Sequence, residues 1–400
     1  MDVAIDFEGR RVSAVRGEPV AVALLRAGTW VLSRSIKYHR PRGAFCFAES
    51  CGNCLMRIGG QPDRLACAVP CEPGLVVQTQ NALPSASHDL LRAIDWAFPR
   101  GLDHHEMFAG VPVAETVMQA VARKLAGLGE LPDAAAPAAS NPPERRVDVC
   151  VVGYGRAGRA AAAAVHGSVL ALDADPWLEP PPGVEAWRGA RVLGLYRDGG
   201  PPLVAVRHQG AVHRVRPRRV VLCTGSRDQN VLFGGNDLPG ILGARAVRRL
   251  LERHALLPAK RALVVGNGPD GAPASRALID AGAQVAWAGK GEAPAGVEDL
   301  TGHRVVEARG RGRVREAILE AAGKRVHWRG GLIAIAALRP AAFELGVHAG
   351  ATVEWQGDRG FALRAGPDGA TEVPWLLAAG SCTSAAVAPE EHGRRAGLAA

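Results

Sequence analysis

Five of the eight cysteines in the 400-residue sequence, Cys46, Cys51, Cys54, Cys67 and Cys71, fall in one short segment. Cys46-x4-Cys51-x2-Cys54 followed by Cys67 has the plant-type spacing for a 2Fe-2S cluster, in which three thiolates on one loop and a fourth from a later strand surround two irons. Between them stand Ala48, Ser50, Gly52 and Asn53, small enough for backbone N–H groups to approach the sulfides. Two ferric ions, two sulfides and four thiolates carry a charge of about −2, which such donors or nearby cations must balance. The competing arrangement is a four-cysteine zinc site from Cys51, Cys54, Cys67 and Cys71, which leaves Cys46 without a role. Just ahead, the basic stretch from Arg34 to Gly43 either neutralises the cluster or a cofactor phosphate through planar guanidinium forks, or is a solvated loop. Residue types alone do not choose between these.

Two glycine-rich turns form the second set. An apolar strand at 147–152 leads into Gly153-Tyr-Gly155-Arg-Ala-Gly158 and an alanine-rich helix at 159–165, and a second strand at 169–172 ends at Asp173. Gly-x-Gly-x-x-Gly between strand and helix lets backbone approach a pyrophosphate at the positive helix end, and the carboxylate can accept from a ribose hydroxyl. The alternative is a dinucleotide-type layer that binds nothing. Thr224 and Gly225 close the strand that re-enters this fold, and Gly380 lies in a later turn. A second turn, Gly266-Asn-Gly268-Pro-Asp-Gly271, follows a strand at 261–265, but the next strand, 284–288, ends in Gly289-Lys290 with no acidic residue. Nicotinamide binding or a structural remnant are both open for it.

These residues need elements to hold them. Alternating apolar positions at 3–7 and 11–15 around Glu8-Gly9 predict a hairpin, and Pro19 and Gly28 bracket a short helix at 20–27. Hairpin, helix and further strands at 55–58 and 75–78 predict a β-grasp, ferredoxin-like domain over 1–84. Residues 85–146 read as a helical connection and a Pro/Ala-rich linker. Strands then alternate with helices, which predicts an α/β fold of two tandem dinucleotide-binding domains: a Rossmann-like FAD/NAD domain from 147–241 and 331–400, and a second, NAD-like domain at 242–330.

Composition excludes several classes. Forty-eight percent hydrophobic and 22% charged residues exclude global disorder, and the apolar runs are far short of the roughly 20 residues of a membrane span. The net charge of +9 does not by itself name a partner, and with only 5% aromatic residues to stack bases it argues against nucleic acid. Without a secretory leader, the reading is a cytoplasmic protein with reduced thiols. His104-His105-Glu106 reads as a polar loop, and the chain has no Gly-x-Ser-x-Gly elbow, paired cysteine–histidine signature or Walker loop. No residue is assigned a catalytic role.

Four segments, Ser33-Arg-Ser-Ile-Lys-Tyr-His-Arg-Pro-Arg-Gly43, Gln80-Asn-Ala-Leu-Pro-Ser85, Asn236-Asp-Leu-Pro-Gly240 and Gly266-Asn-Gly-Pro-Asp-Gly271, resemble the amino-terminal half of the α subunit of heteromeric sarcosine oxidase. The cysteine block also resembles the small iron–sulfur subunit of hydrogen cyanide synthase and of opine and hydroxyproline dehydrogenases. The resemblance implies an oxidoreductase subunit acting on CH–NH donors: an electron-transferring, cofactor-binding α-type chain without the folate-binding half. Amine oxidation would occur on a flavoprotein β subunit similar to D-amino-acid oxidase, with room for further small subunits. It also implies FAD or NAD in the first dinucleotide fold; Ala379-Gly380-Ser381 lacks the Asp that reductase-type flavoproteins place after the final glycine. The alternatives are a self-contained NAD(P)H-dependent iron–sulfur flavoprotein reductase, which needs both turns to bind, and a non-catalytic, cluster-bearing scaffold.

Overall fold

The computed structural model describes residues 2–36, 38–82, 84–93, 113, 116–117, 142–180, 183–197 and 199–400. Most of the expected helical connection, including His104-His105-Glu106, lies outside the described residues, as do Lys37 and two of the prolines after Asp173. The chain divides into two compact units, one drawn from Met1–Ala135 and Asp228–Ala337, the other from Ala136–Arg227 and Leu338–Ala400.

In the first unit the strands Asp2–Phe7 and Arg10–Val15 pair antiparallel through Glu8 and Gly9, both at positive φ. That is the twist a two-residue hairpin turn requires. A five-stranded sheet follows in the order Arg10–Val15, Asp2–Phe7, Val76–Gln78, Leu55–Ile58, Gln61–Leu65, with Asp2–Phe7 parallel to Val76–Gln78. The helix Val20–Arg26 buries Val20 through Leu24 against it; Pro19 stands at the N-cap rather than inside the first turn, and Gly28 is left-handed as a helix end favours. This β-grasp packs Ile5, Leu24, Met56, Ile58 and Val77 around Cys54, Cys67 and Cys71.

The same unit contains a parallel five-stranded sheet ordered Ile241–Gly243, Leu332–Ile335, Arg261–Gly266, Gln284–Gly289, Glu298–Asp299, with the helices Ala244–His254 and Gly271–Asp280. Leu332–Ile335 hydrogen-bonds to Ile241–Gly243 and Arg261–Gly266. The change of fold expected at residue 331 therefore comes after this strand, and an apolar run buried from both faces gave no sign of which sheet it would join. Arg304–Arg309, Glu316–Ala321 and Lys324–Arg329 add a small antiparallel sheet.

The second unit is built on the order Glu185–Arg188, Val169–Asp173, Arg145–Val152, Ala211–Leu222, Leu203–His208, Arg191–Tyr196, with Leu376–Ala378 also paired to Ala211–Leu222. The strands from Glu185–Arg188 to Ala211–Leu222 run parallel, so their carboxyl ends open onto one edge, where such sheets bind ligands. The C-terminal helix Pro389–Ala399 lies along the helix Arg156–Ala164. Their approach depends on missing side chains: a Cβ on Gly393 would stand 2.0 Å from the Ala157 carbonyl oxygen, and one on Gly397 would stand 2.2 Å from that of Ala161. Among the described residues no helix is long and apolar enough to cross a membrane.

Candidate functional site: the cysteine loop and two glycine turns

The loop from Cys46 to Cys54 leaves the β-grasp core with Phe47 and Glu49 in left-handed conformations, φ +47° and +56°, and Gly52 at +70°. Alternating handedness turns successive N–H groups toward one side, the geometry of an anion nest. The Ala48 and Ser50 N–H groups each donate to the Cys46 Sγ at 3.4 Å. The four expected thiols are brought together: Cys46 lies beside Cys51 and Cys67, and Cys67 also lies beside Cys54, within reach of hydrogen bonds between the sulfurs. Those bonds hold Cys46 and Cys54 below the ordinary thiol range and, with burial, push Cys51 and Cys67 above it.

Cys71 stands apart. Burial, with Glu18 and Glu72 nearby, pushes its thiol up to about 12. Among the described residues no three His, Cys, Asp or Glu side chains converge as a single metal ion would need. Structural zinc demands four ligands around one point, whereas a 2Fe-2S cluster spreads four thiolates over two irons. With Cys46 among the meeting thiols and Cys71 outside them, the residues fit the cluster better than the zinc arrangement.

The loop is covered from a second core. Phe45 and Cys46 are buried, and Cys51 half-buried, with Ile241, Leu263, Val265 and Ile335 of the parallel sheet and Val305 of the small antiparallel sheet in the same unit. The Gly243 N–H donates to the Phe45 carbonyl, and the Arg249 Nη1 donates to the Cys46 carbonyl at 2.9 Å. Two of the segments that carry the resemblance also meet here, through the Arg42–Asp237 ion pair at 3.0 Å.

Part of the basic stretch is buried. Arg34 is buried and donates to the carbonyls of Ala86 and His39, and His39, fully buried, bonds through Nδ1 to Asp89 at 3.0 Å. Arg40 lies over the Tyr38 ring. The sequence offered little warning of this buried network, since its acid, Asp89, lies fifty residues from His39.

At the first glycine turn, Gly153 has φ +93° and a Cβ there would meet the Cys223 carbonyl oxygen at 2.2 Å. A Cβ on Gly158 would meet the Gly153 carbonyl oxygen at 1.9 Å, but one on Gly155 would meet nothing within 4 Å. The outer glycines thus permit the turn and the close helix approach, and the middle one borders open space at the helix N-terminus, where a pyrophosphate can come close. The Asp173 carboxylate accepts from the Tyr154 N–H and from the Asp175 N–H at 2.8 Å, so it braces the turn. Thr224 donates to the Ala342 carbonyl, and the Gly225 carbonyl accepts from Ala342.

Gly380, at φ +80°, donates its N–H to the His392 Nδ1. The ring's Nε2 bonds to the Gly366 carbonyl, so the neutral ring with its proton on Nε2 satisfies both contacts. Sequence reading passed over this buried histidine because nothing in its spacing marks it.

The second turn is closed differently. A Cβ on Gly268 would lie 2.1 Å from the Ala337 carbonyl oxygen, and the Gly268 N–H is spent on the Ala336 carbonyl at 2.6 Å. The Trp287 indole is buried against Gly271 and Gly289, where added Cβ atoms would come within 2.8 and 2.3 Å of its ring. Gly266, Gly268 and Gly271 therefore serve packing in this structure.

Residues 1–82 match the family of 2Fe-2S iron-sulfur cluster binding domains. The fold class is thus an α/β pair of dinucleotide-type folds preceded by a 2Fe-2S domain. The chain is 27% identical over 367 residues, 79% of its length, to the sarcosine oxidase subunit alpha of Rhizobium meliloti, and spans 36% of that protein. Over 80 residues, 20% of the chain, it is 36% identical to hydrogen cyanide synthase subunit HcnA of Pseudomonas aeruginosa, covering 76% of that subunit. The fold of the whole chain is similar to that of L-proline dehydrogenase from P. horikoshii, with a TM-score of 0.71 at 19% identity, covering 72% of that chain. The expected likeness to sarcosine oxidase α subunits, with an iron–sulfur domain in front, is thereby found.

Proposed function

We propose that this chain is the electron-transferring, cofactor-binding subunit of a heteromeric flavin-dependent amine or amino-acid dehydrogenase or oxidase, with Cys46, Cys51, Cys54 and Cys67 as cluster ligands. The meeting of these four thiols, with Cys71 left outside, carries the reading. When bound, a 2Fe-2S cluster supplies a one-electron carrier beside flavin chemistry that delivers electrons in pairs. The four thiolates would hold the irons, with the Ala48 and Ser50 N–H groups orienting the Cys46 sulfur and offsetting its charge. Gly153, Gly155, Gly158 and Asp173 would seat an adenine dinucleotide, FAD or NAD, at the open turn.

The similarity to sarcosine and opine oxidase subunits supports a CH–NH donor, and their subunit names support a partner subunit, which we take to be the oxidising flavoprotein similar to D-amino-acid oxidase that the sequence resemblance implies. A self-contained NAD(P)H reductase would need the second turn as well, and Gly268 has already spent its N–H internally. Reconstitution tests the proposal. The chain alone is expected to leave sarcosine, proline and opines unoxidised in a dye-reduction assay, and to support turnover when joined to its flavoprotein partner. Substrate oxidation by the lone chain would overturn the division of labour.

A further inference from the structure

The helix Ala244–His254 places Arg245 and Arg249 one turn apart on the same face. Both reach Asp228, whose side chain is only 7% exposed: the Arg245 Nε lies 2.7 Å from its Oδ1, and the Arg249 Nη1 lies 3.6 Å from its Oδ2. The same Arg249 Nη1 donates to the Cys46 carbonyl. Two guanidinium groups, each about four-fifths shielded from solvent, thus stand around one carboxylate, and one of them lies against the peptide that begins the cysteine loop.

We propose that Arg249, held in place by Asp228, sets the reduction potential of the 2Fe-2S cluster from the neighbouring dinucleotide-type fold. This rests on the reading that Cys46, Cys51, Cys54 and Cys67 ligate that cluster. One-electron reduction adds a negative charge to a group already at about −2. A fixed cation in a partly desolvated position favours the reduced form, because its field is screened less there than in water. The guanidinium also polarises the Cys46 carbonyl, drawing electron density away from the loop. Asp228 both holds Arg249 in position and offsets part of its charge, so the two residues pull the potential in opposite directions. Arg249 is thus a positioning and tuning residue; it touches the ligand loop rather than the reacting substrate.

A merely structural clamp and an electrostatic one differ in sign. The test is an EPR-monitored redox titration of the full-length, anaerobically purified chain and of Arg249→Met, Arg249→Lys and Asp228→Asn variants. Arg249→Met is expected to shift the midpoint negative by about a tenfold change in the reduced-to-oxidised ratio, or about 59 mV for a one-electron couple. Asp228→Asn is expected to shift it positive, and Arg249→Lys, which keeps the charge, to stay near wild type. Variants with intact cluster signals that share the wild-type midpoint, or that all move in one direction, would overturn the proposal. If Arg249→Met fails to fold, the positive shift in Asp228→Asn and the unmoved Arg249→Lys still decide it. Wild-type protein with neither acid-labile sulfide nor a reduced-cluster signal overturns the underlying cluster assignment, a result distinct from unshifted midpoints.

Discussion

Cys54 and Cys71 are both buried thiols in one hydrophobic core, yet only Cys54 bonds to the other clustered sulfurs. Cys54→Ser is expected to abolish the visible absorbance and the acid-labile sulfide of anaerobically purified protein. Cys71→Ser should retain about two irons per chain; zinc without sulfide in the wild type, lost from the Cys54 and Cys71 variants alike, would point to the four-cysteine zinc site instead. His392 makes a different prediction. Burial lowers its pKa below the ordinary imidazole value, and protonating Nδ1 would remove the acceptor that Gly380 uses. The unfolded state therefore binds this proton more readily. The contribution of His392 to stability is complete above the unfolded value near 6.5 and is lost as pH falls through the folded one. Urea unfolding between pH 7.5 and 5 should show the wild type losing more stability than His392→Gln. The cluster spacing was legible because its ligands are local in the chain. Arg249 was not, because an arginine on an amphipathic helix looks solvated until a loop some two hundred residues earlier is seen to meet it.

The glycines of the second unit separate packing from binding. Gly155→Val faces open space in an extended backbone and is expected to keep the wild-type thermal midpoint while losing extracted dinucleotide. Gly397→Val must push the C-terminal helix away from Ala161 and should cost about 1–3 kcal/mol in chemical denaturation. A Gly155→Val protein with full cofactor content would make the turn structural. Sequence patterns found the elements unevenly. The strand expected at 55–58 is found at Leu55–Ile58, where buried and half-buried positions alternate. The strand that Thr224 and Gly225 close runs back to Ala211, because its first part, with His213 and Arg214, pairs with Leu203–His208 and hides its buried positions among basic side chains. The helix expected at 159–165 starts at Arg156 because the turn's own middle glycine is its N-cap.

Neither glycine motif on its face distinguishes the two dinucleotide-type folds; Trp287 and the carbonyls of Ala336 and Ala337 do, and both lie outside the motif. That is why a sequence could show two similar turns and leave their use open. Each compact unit has hydrophobic cores of its own. Because the expected cluster ligands belong to only one unit, ligand binding should stabilise that unit selectively. Calorimetry of cluster-loaded and cluster-stripped chain is expected to move one unfolding transition upward and leave the other nearly unchanged. Equal displacement of both transitions would show that the units unfold as one.

The units are also interleaved along the chain, and this has a consequence for synthesis. The cysteine loop emerges early, but the strands that cover Cys46 extend to Ile335, and the other unit closes only with the final helix, Pro389–Ala399. At about 5–20 residues per second, the ribosome leaves the loop uncovered for on the order of ten seconds or more after Cys67 is made. Metal delivery during translation would thus meet open thiols, whereas delivery after release would meet a loop already sealed by Ile241, Leu263 and Val305. Slow maturation of a refolded apo-chain, beside prompt maturation of the nascent one, is the kinetic signature this chain order implies.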